Sequence, residues 1–266
     1  MTLRTISYGG GVQSNALMVL AALGKVDADT LLFANTGDDS EHPATLGYVR
    51  NVARPYAEAH GLTLYELRRT YRDGSPYPTL WEAMTRENSR RVPIPMRMRT
   101  GVPASRTCTA DWKAGVLAKW RRQHGATAED PAVSMIGFST DEWHRANKRK
   151  AEPWEAIEYP LLDLRMSRAD CLATIRRAGL PEPPKSACWF CPWTKPNRWA
   201  ELRRDDPATF DKAADLEEFL SDRNRYYGNG PLWMTDRLTP LRLISEAQDA
   251  LPFVGPEGCE EGACWT

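Results

Sequence analysis

The chain has 266 residues, 42% of them apolar and 26% charged, the composition of an ordinary soluble domain. That excludes a disordered polymer, and no apolar run is long enough to cross a bilayer, so no membrane partner is expected. Thirty-five basic residues balance thirty-five acidic ones, which argues against a general electrostatic nucleic-acid binder and leaves room only for local basic patches.

The first residues, MTLRTISYGGG, hold no signal-peptide core, so a cytoplasmic location is expected. In a reducing compartment the six cysteines read as ligands or reactive thiols rather than disulfides. The length suits one large α/β domain, or one domain with an appendage.

Residues 3–7 are a short β-prone run ending in Gly9-Gly10-Gly11, and residues 14–23 (SNALMVLAAL) have helical spacing, closed by Gly24. A second strand is predicted over 30–33, a helix over about 44–60 stopped by Gly61, and a third strand over 62–67. Such alternation predicts parallel strands joined by crossover helices. From 70 to 106 the pattern breaks under five prolines, Pro76, Pro78, Pro93, Pro95 and Pro103, with a short helix expected near 81–87. A loop of this length is usually functional. Then come a helix over 112–123, a strand over 133–138, a polar tip over 139–150, a strand over 157–162, and helices over 167–178 and about 199–225. The fold class expected is α/β, a parallel sheet with helices on both faces. Residues 1–165 would form a nucleotide-binding domain, and 166–266 a helical, cysteine-bearing subdomain packed on it.

Between strand and helix, Gly9-Gly10-Gly11 permits positive φ and close approach of backbone N–H groups to an anion. The helix N-terminus adds partial positive charge, and Ser14 can donate from the first turn. Phosphate or pyrophosphate suits this geometry, although the stretch is neither a Walker motif nor a GxGxxG fingerprint. A tight strand-to-helix turn with no ligand is the plain alternative.

Ser7-Tyr8-Gly9-Gly10-Gly11-Val12-Gln13-Ser14 resembles the pyrophosphate loop (SGGxDS, the PP-loop) of the adenine nucleotide α-hydrolase superfamily. Asn35-Thr36-Gly37 resembles the Asp-Thr-Gly segment of that superfamily's phosphoadenosine phosphosulfate (PAPS) reductase branch. Cys108 to Lys113 is similar to its Cys-Thr…Lys segment, and Gly137 to Arg145 to its Gly…Glu-Ser…Arg segment. Pro184 to Pro192, with Cys188 and Cys191, looks like the cysteine pair of its iron–sulfur members. The five matches run in order over residues 5–192. The resemblance implies an adenine nucleotide, ATP or a phosphosulfate, on Ser7, Gly9, Gly10, Gly11, Gln13, Ser14, Asn35, Thr36 and Gly37, with Lys113 and Arg145 as catalytic groups. Gln13 and Asn35 stand where the family motifs have Asp. A carboxylate there would help to hold Mg²⁺, so Asp38, Asp39 and Asp141 become the candidates.

Cys188-x-x-Cys191 brings two thiolates within reach of one metal centre, whether structural zinc or iron–sulfur. The resemblance places Cys108 beside them, as three ligands of a [4Fe–4S] cluster, with Cys171 the fourth or one iron left open. Cys171, in DCLATI, reads equally well as a buried core thiol. Cys259 and Cys264 fall where the reductases of the branch carry a mobile catalytic cysteine, although the sequence around them departs from the reductase tail.

Arg86, Arg90, Arg91, Arg97, Arg99 and Arg106, opposed only by Glu87, and the tip from Arg145 to Lys150 form two basic clusters suited to an anionic acceptor, nucleic acid included, or to solvent. Among the histidines, His144 in the tip is the acid/base candidate. Of ten tryptophans, Trp189, Trp193 and Trp199 flank the cysteine pair; shielding a cluster or filling a core explains them better than base stacking.

Three functions remain open. The favoured one is an ATP-dependent adenylating enzyme that releases pyrophosphate and places sulfur, from a donor protein, on an acceptor such as a nucleic-acid base. The second is a phosphosulfate reductase served by a reductant protein. The third is a non-catalytic nucleotide-binding module with structural zinc.

Overall fold

A computed structural model describes residues 2–148 and 150–244. Five strands, β1 (Arg4–Ser7), β2 (Thr30–Ala34), β3 (Thr63–Leu67), β4 (Ala132–Ile136) and β5 (Glu155–Glu158), form one sheet in the order β3-β2-β1-β4-β5. Every pairing is parallel, so the fold is α/β. The chain winds outward from β1 to β3 and then returns to the far side of β1 as β4. The switch point between β1 and β4 opens a crevice at the strands' carboxyl ends, where open α/β sheets take their ligands.

Strand side chains alternate between two buried faces. Leu31 and Phe33 of β2, Ile6 of β1 and Met135 of β4 pack with α1 (Val12–Ala22), while Leu32 and Ala34 face Val116, Leu117 and Trp120. The helix after β2 runs as α2 (Pro43–Tyr48), a π turn (Val49–Ala53) and α3 (Arg54–Ala59). Pro55 lies just past that turn and has no N–H to donate, which accounts for the wider turn.

After β3 the proline-rich stretch holds only α4 (Leu80–Thr85), started by a Thr79–Glu82 capping box. Next come α5 (Thr107–Thr109), a second π turn (Ala110–Ala114) and α6 (Gly115–Gln123). Gly115 permits that turn, since a Cβ there would meet the Ala110 carbonyl oxygen at 2.8 Å. The helix therefore begins at 107, not 112. On the face opposite α1, Arg121 of α6 donates to Thr5 Oγ1 and Ser7 Oγ at 2.8 Å each and pairs with Glu155 at 3.3 Å.

Two further expectations are corrected by prolines. The strand expected over 157–162 ends at Glu158, because Pro160 opens α7 (Pro160–Asp163). The long helix expected over 199–225 is two, α9 (Pro196–Asp205) and α10 (Pro207–Tyr226), broken at Asp206-Pro207. Between α7 and α9, α8 (Arg168–Arg177) starts at the Ser167–Asp170 capping box, and its Cys171 and Ile175 pack in the same core as α1. A second core gathers Leu80, Ile94, Trp112, Trp189, Phe190, Trp199, Phe210 and Leu220. Among the described residues no helix is long and apolar enough to cross a membrane.

Candidate nucleotide crevice and cysteine cavity

The glycine loop leaves β1 and enters α1 at Gly11, a cap residue with no side chain to occupy the first N–H groups of the helix. Gly10 has φ +78°, and a Cβ there would press on Thr45 Cγ2 at 3.1 Å. The loop is held from beneath by Asn15. Its amide donates to the carbonyls of Gly10 at 3.2 Å and Gly11 at 2.9 Å, and its Oδ1 accepts from the Tyr8 hydroxyl at 2.8 Å. Asn15 was missed in the sequence; its signal was a lone amide inside an apolar helix. Ser14 Oγ donates to the Gly11 carbonyl at 3.0 Å. Ser7, expected at the nucleotide, instead turns to the opposite face of the sheet, because strand alternation points it at Arg121.

Gln13 Nε2 donates to Glu142 Oε2 at 3.2 Å across the crevice. Gly137 permits this approach, since a Cβ there would meet the Gln13 backbone at 3.2 Å. Arg145 is buried, pairs with Glu142 and lies 4.4 Å over the Phe138 ring. Its Nε has no hydrogen-bond partner among the described residues. Burial raises the Glu142 pKa above the usual carboxylate range, with Arg145 opposing. His144 is exposed beside it, and Arg149 of the same tip lies outside the described residues.

At the end of β2, Asn35 shows why an amide replaces the carboxylate. Its Nδ2 donates to Asp38 Oδ1 at 2.8 Å and Glu66 Oε1 at 2.7 Å, and an Asp there would face two like charges. Burial would raise the Asp38 pKa, but hydrogen bonds from Arg50 and Asn35 and the charge of Arg68 outweigh it and hold it at about 2. Gly37 has φ +139°, and a Cβ there would sit 2.4 Å from Asp39 Oδ1 and 2.5 Å from Thr79 Cβ.

Each of the Mg²⁺ candidates accepts hydrogen bonds or ion pairs from the protein. Asp38 serves Arg50 and Arg68. Asp39 accepts from Ser40 and Thr79, and Asp141 from Ser139 and the Arg168 backbone.

Behind the turn after β2 lies a cavity of about 450 Å³, counting its open mouth, lined by Cys108, Cys188, Cys191, Arg106, Lys113 and Trp193 among others. Three chain segments meet here. Cys188 and Cys191 bracket a turn closed by the Cys191 N–H on the Cys188 carbonyl at 3.1 Å, and the Cys108 N–H donates to Pro93 O at 2.9 Å. Cys188 Sγ lies 3.6 Å from Thr36 Oγ1. Burial pushes the Cys188 thiol well above its ordinary pKa; Glu41 adds to the rise and Lys113 opposes it. The Thr36 hydroxyl donates to Glu41 at 2.9 Å, so this side chain faces the cysteines rather than the crevice.

The cysteine loop is strapped to the glycine loop. Ser186 Oγ donates to the Gly9 carbonyl, Glu41 and Cys188 pair as an antiparallel bridge, and Trp189 Nε1 donates to Asp39 O at 2.7 Å.

Cys171, expected as a fourth ligand, is not at this cavity. It is fully buried in the sheet core against α1, where burial pushes its thiol to about 12. Cys259 and Cys264 lie outside the described residues. Among the described residues no three His, Cys, Asp or Glu side chains are drawn together into a metal-holding group. The cavity wall nonetheless carries three cysteines, and thiolates are the soft ligands that zinc and iron–sulfur centres take.

The arginine-rich loop divides its charges. Arg106 lines the cavity, Arg97 lies 4.6 Å over Trp193, and Arg90 lies 4.8 Å over Tyr227. Arg91 pairs with Asp111, the Arg86 carbonyl accepts from Arg223 at 3.4 Å, and Arg99 is exposed.

No family model matches the chain, and no curated protein does. Among solved structures, the chain is similar to the U34-tRNA thiolase NcsA from Methanococcus maripaludis with its [4Fe-4S] cluster. The match has 12% identity and a TM-score of 0.42, and covers 82% of this chain and 72% of that one.

Proposed function

We propose that the protein is an adenine-nucleotide-activating enzyme that directs sulfur to an anionic acceptor, a nucleic-acid base being the favoured class. The observation that carries this reading is the strap between the two sites: Ser186 on Gly9 ties the thiol-lined cavity to the glycine loop, and Thr36 against Cys188 ties it to the turn after β2.

In this reading the loop amides, the start of α1 and the Arg145 guanidinium hold the phosphates of ATP. An acceptor oxygen attacks the α-phosphorus, the bond to the β-phosphate breaks, and pyrophosphate leaves. Sulfur from a donor then displaces AMP from the adenylated acceptor. Cys108, Cys188 and Cys191 would hold an iron–sulfur cluster, which supplies sulfur-handling chemistry when bound. Lys113 contributes positive charge on the wall facing the thiols. The test is pyrophosphate release from ATP with an RNA pool as acceptor. Release that depends on RNA and falls ten- to a hundredfold in Ser14→Ala supports the reading; turnover of phosphosulfate to sulfite, with none of ATP, overturns it.

A further inference from the structure

Glu41 belongs to none of the motifs, yet it sits where the two sites join. It follows the turn after β2 and is 1% exposed. Its Oε1 accepts from the Thr36 hydroxyl at 2.9 Å and lies 3.4 Å from the Thr36 N–H. Lys113 Nζ is 3.7 Å from the same oxygen, and Oε2 has no hydrogen-bond partner among the described residues. Its backbone pairs with that of Cys188.

The side chains of Lys113 and Glu41 are 12% and 1% exposed, so their ion pair is shielded from water and weakly screened by salt. Lys113 lines the cavity; Glu41 does not. The lysine hangs from the π turn 110–114, which Gly115 permits, so its stem reaches the cavity from one side while Glu41 reaches its ammonium from the other.

We propose that Glu41 is the positioning residue of the cysteine cavity: through its ion pair it fixes the Lys113 ammonium on the cavity wall beside Cys188. The inference rests on the sulfur-handling reading for its purpose, but the pairing can be tested without it.

The experiment is amine labelling of the full-length protein as purified, read lysine by lysine by mass spectrometry. In Glu41→Gln, which keeps the volume and an acceptor for Thr36, Lys113 should label roughly tenfold faster while other lysines are unchanged, as expected when one contact that holds the amine in place is weakened. Glu41→Asp should restore most of the protection. With RNA and ATP, Glu41→Gln should lower kcat with KM for ATP within twofold, since the crevice is untouched.

Unchanged Lys113 labelling in folded Glu41→Gln overturns the proposal. Faster labelling at every lysine overturns it too, since that marks a general loosening of the fold. Selective labelling in a protein that binds no iron and turns over no nucleotide would keep the Glu41–Lys113 pairing and sink the sulfur-handling reading.

Discussion

The glycine loop and the cysteine cavity touch, yet they are built in opposite ways. The loop is local. Residues 8–15 carry its turn, its helix start and its main support, since Asn15 reaches back only to Tyr8, Gly10 and Gly11. The cavity is assembled from distant pieces: Cys108 and Lys113 from the α5 region, Cys188 and Cys191 from the loop before α9, with Glu41 behind them. A local site stands on its own hydrogen bonds, whereas the assembled one depends on straps and on the tryptophan-rich core beneath it.

Gly37 should break both. An alanine there meets Asp39 and Thr79 at under 3 Å with φ +139°, so Gly37→Ala should cost about 3 kcal/mol from overpacking and backbone strain. Urea unfolding measures it, and both nucleotide binding and metal content should fall.

Asn15→Ala should separate the two. It leaves the buried Tyr8 hydroxyl and the carbonyls of Gly10 and Gly11 without their partner, at about 2 kcal/mol. Nucleotide affinity, measured by calorimetry, should drop while metal content holds. Equal loss of both would mean the loop and the cavity are one cooperative unit.

The smallest effect probes the core behind the cavity. Glu217 of α10 accepts from the backbone N–H groups of Met234 at 2.5 Å and Leu241 at 2.7 Å. Burial pushes its pKa up to about 7, against those two donors. A folded pKa above the unfolded one gives stability that is present below about pH 4.5 and lost as pH rises through about 7. Stability should therefore fall between pH 5 and 7.5, and Glu217→Gln should flatten that part of the slope. An identical slope in the variant would contradict the assignment.

Much of this was legible in the sequence because it is local. The strand–glycine–helix unit, the β–α alternation and the Cys188–Cys191 turn all follow from spacing and from turn chemistry. The breaks at Pro160 and Pro207 were written there too, as residues that open helices. What could not be read was long-range. That Ser7 faces Arg121 follows from strand register, and that Cys171 belongs to the sheet core follows from where α8 packs. Glu41 carried no motif; only the bridge to Cys188 and the approach of Lys113 mark it. The substitution of Asn35 for Asp looked like a loss and is instead a bridge between two carboxylates.

The central proposal is that Cys108, Cys188 and Cys191 would hold an iron–sulfur centre beside the glycine loop. Iron and acid-labile sulfide analysis with a visible spectrum, on protein purified without oxygen, tests it most directly. The account predicts about four irons and four sulfides per chain and a broad band bleached by dithionite. Both should be lost in Cys188→Ala and kept in Cys171→Ala. One zinc per chain without iron or sulfide, or iron that survives Cys188→Ala, would contradict it.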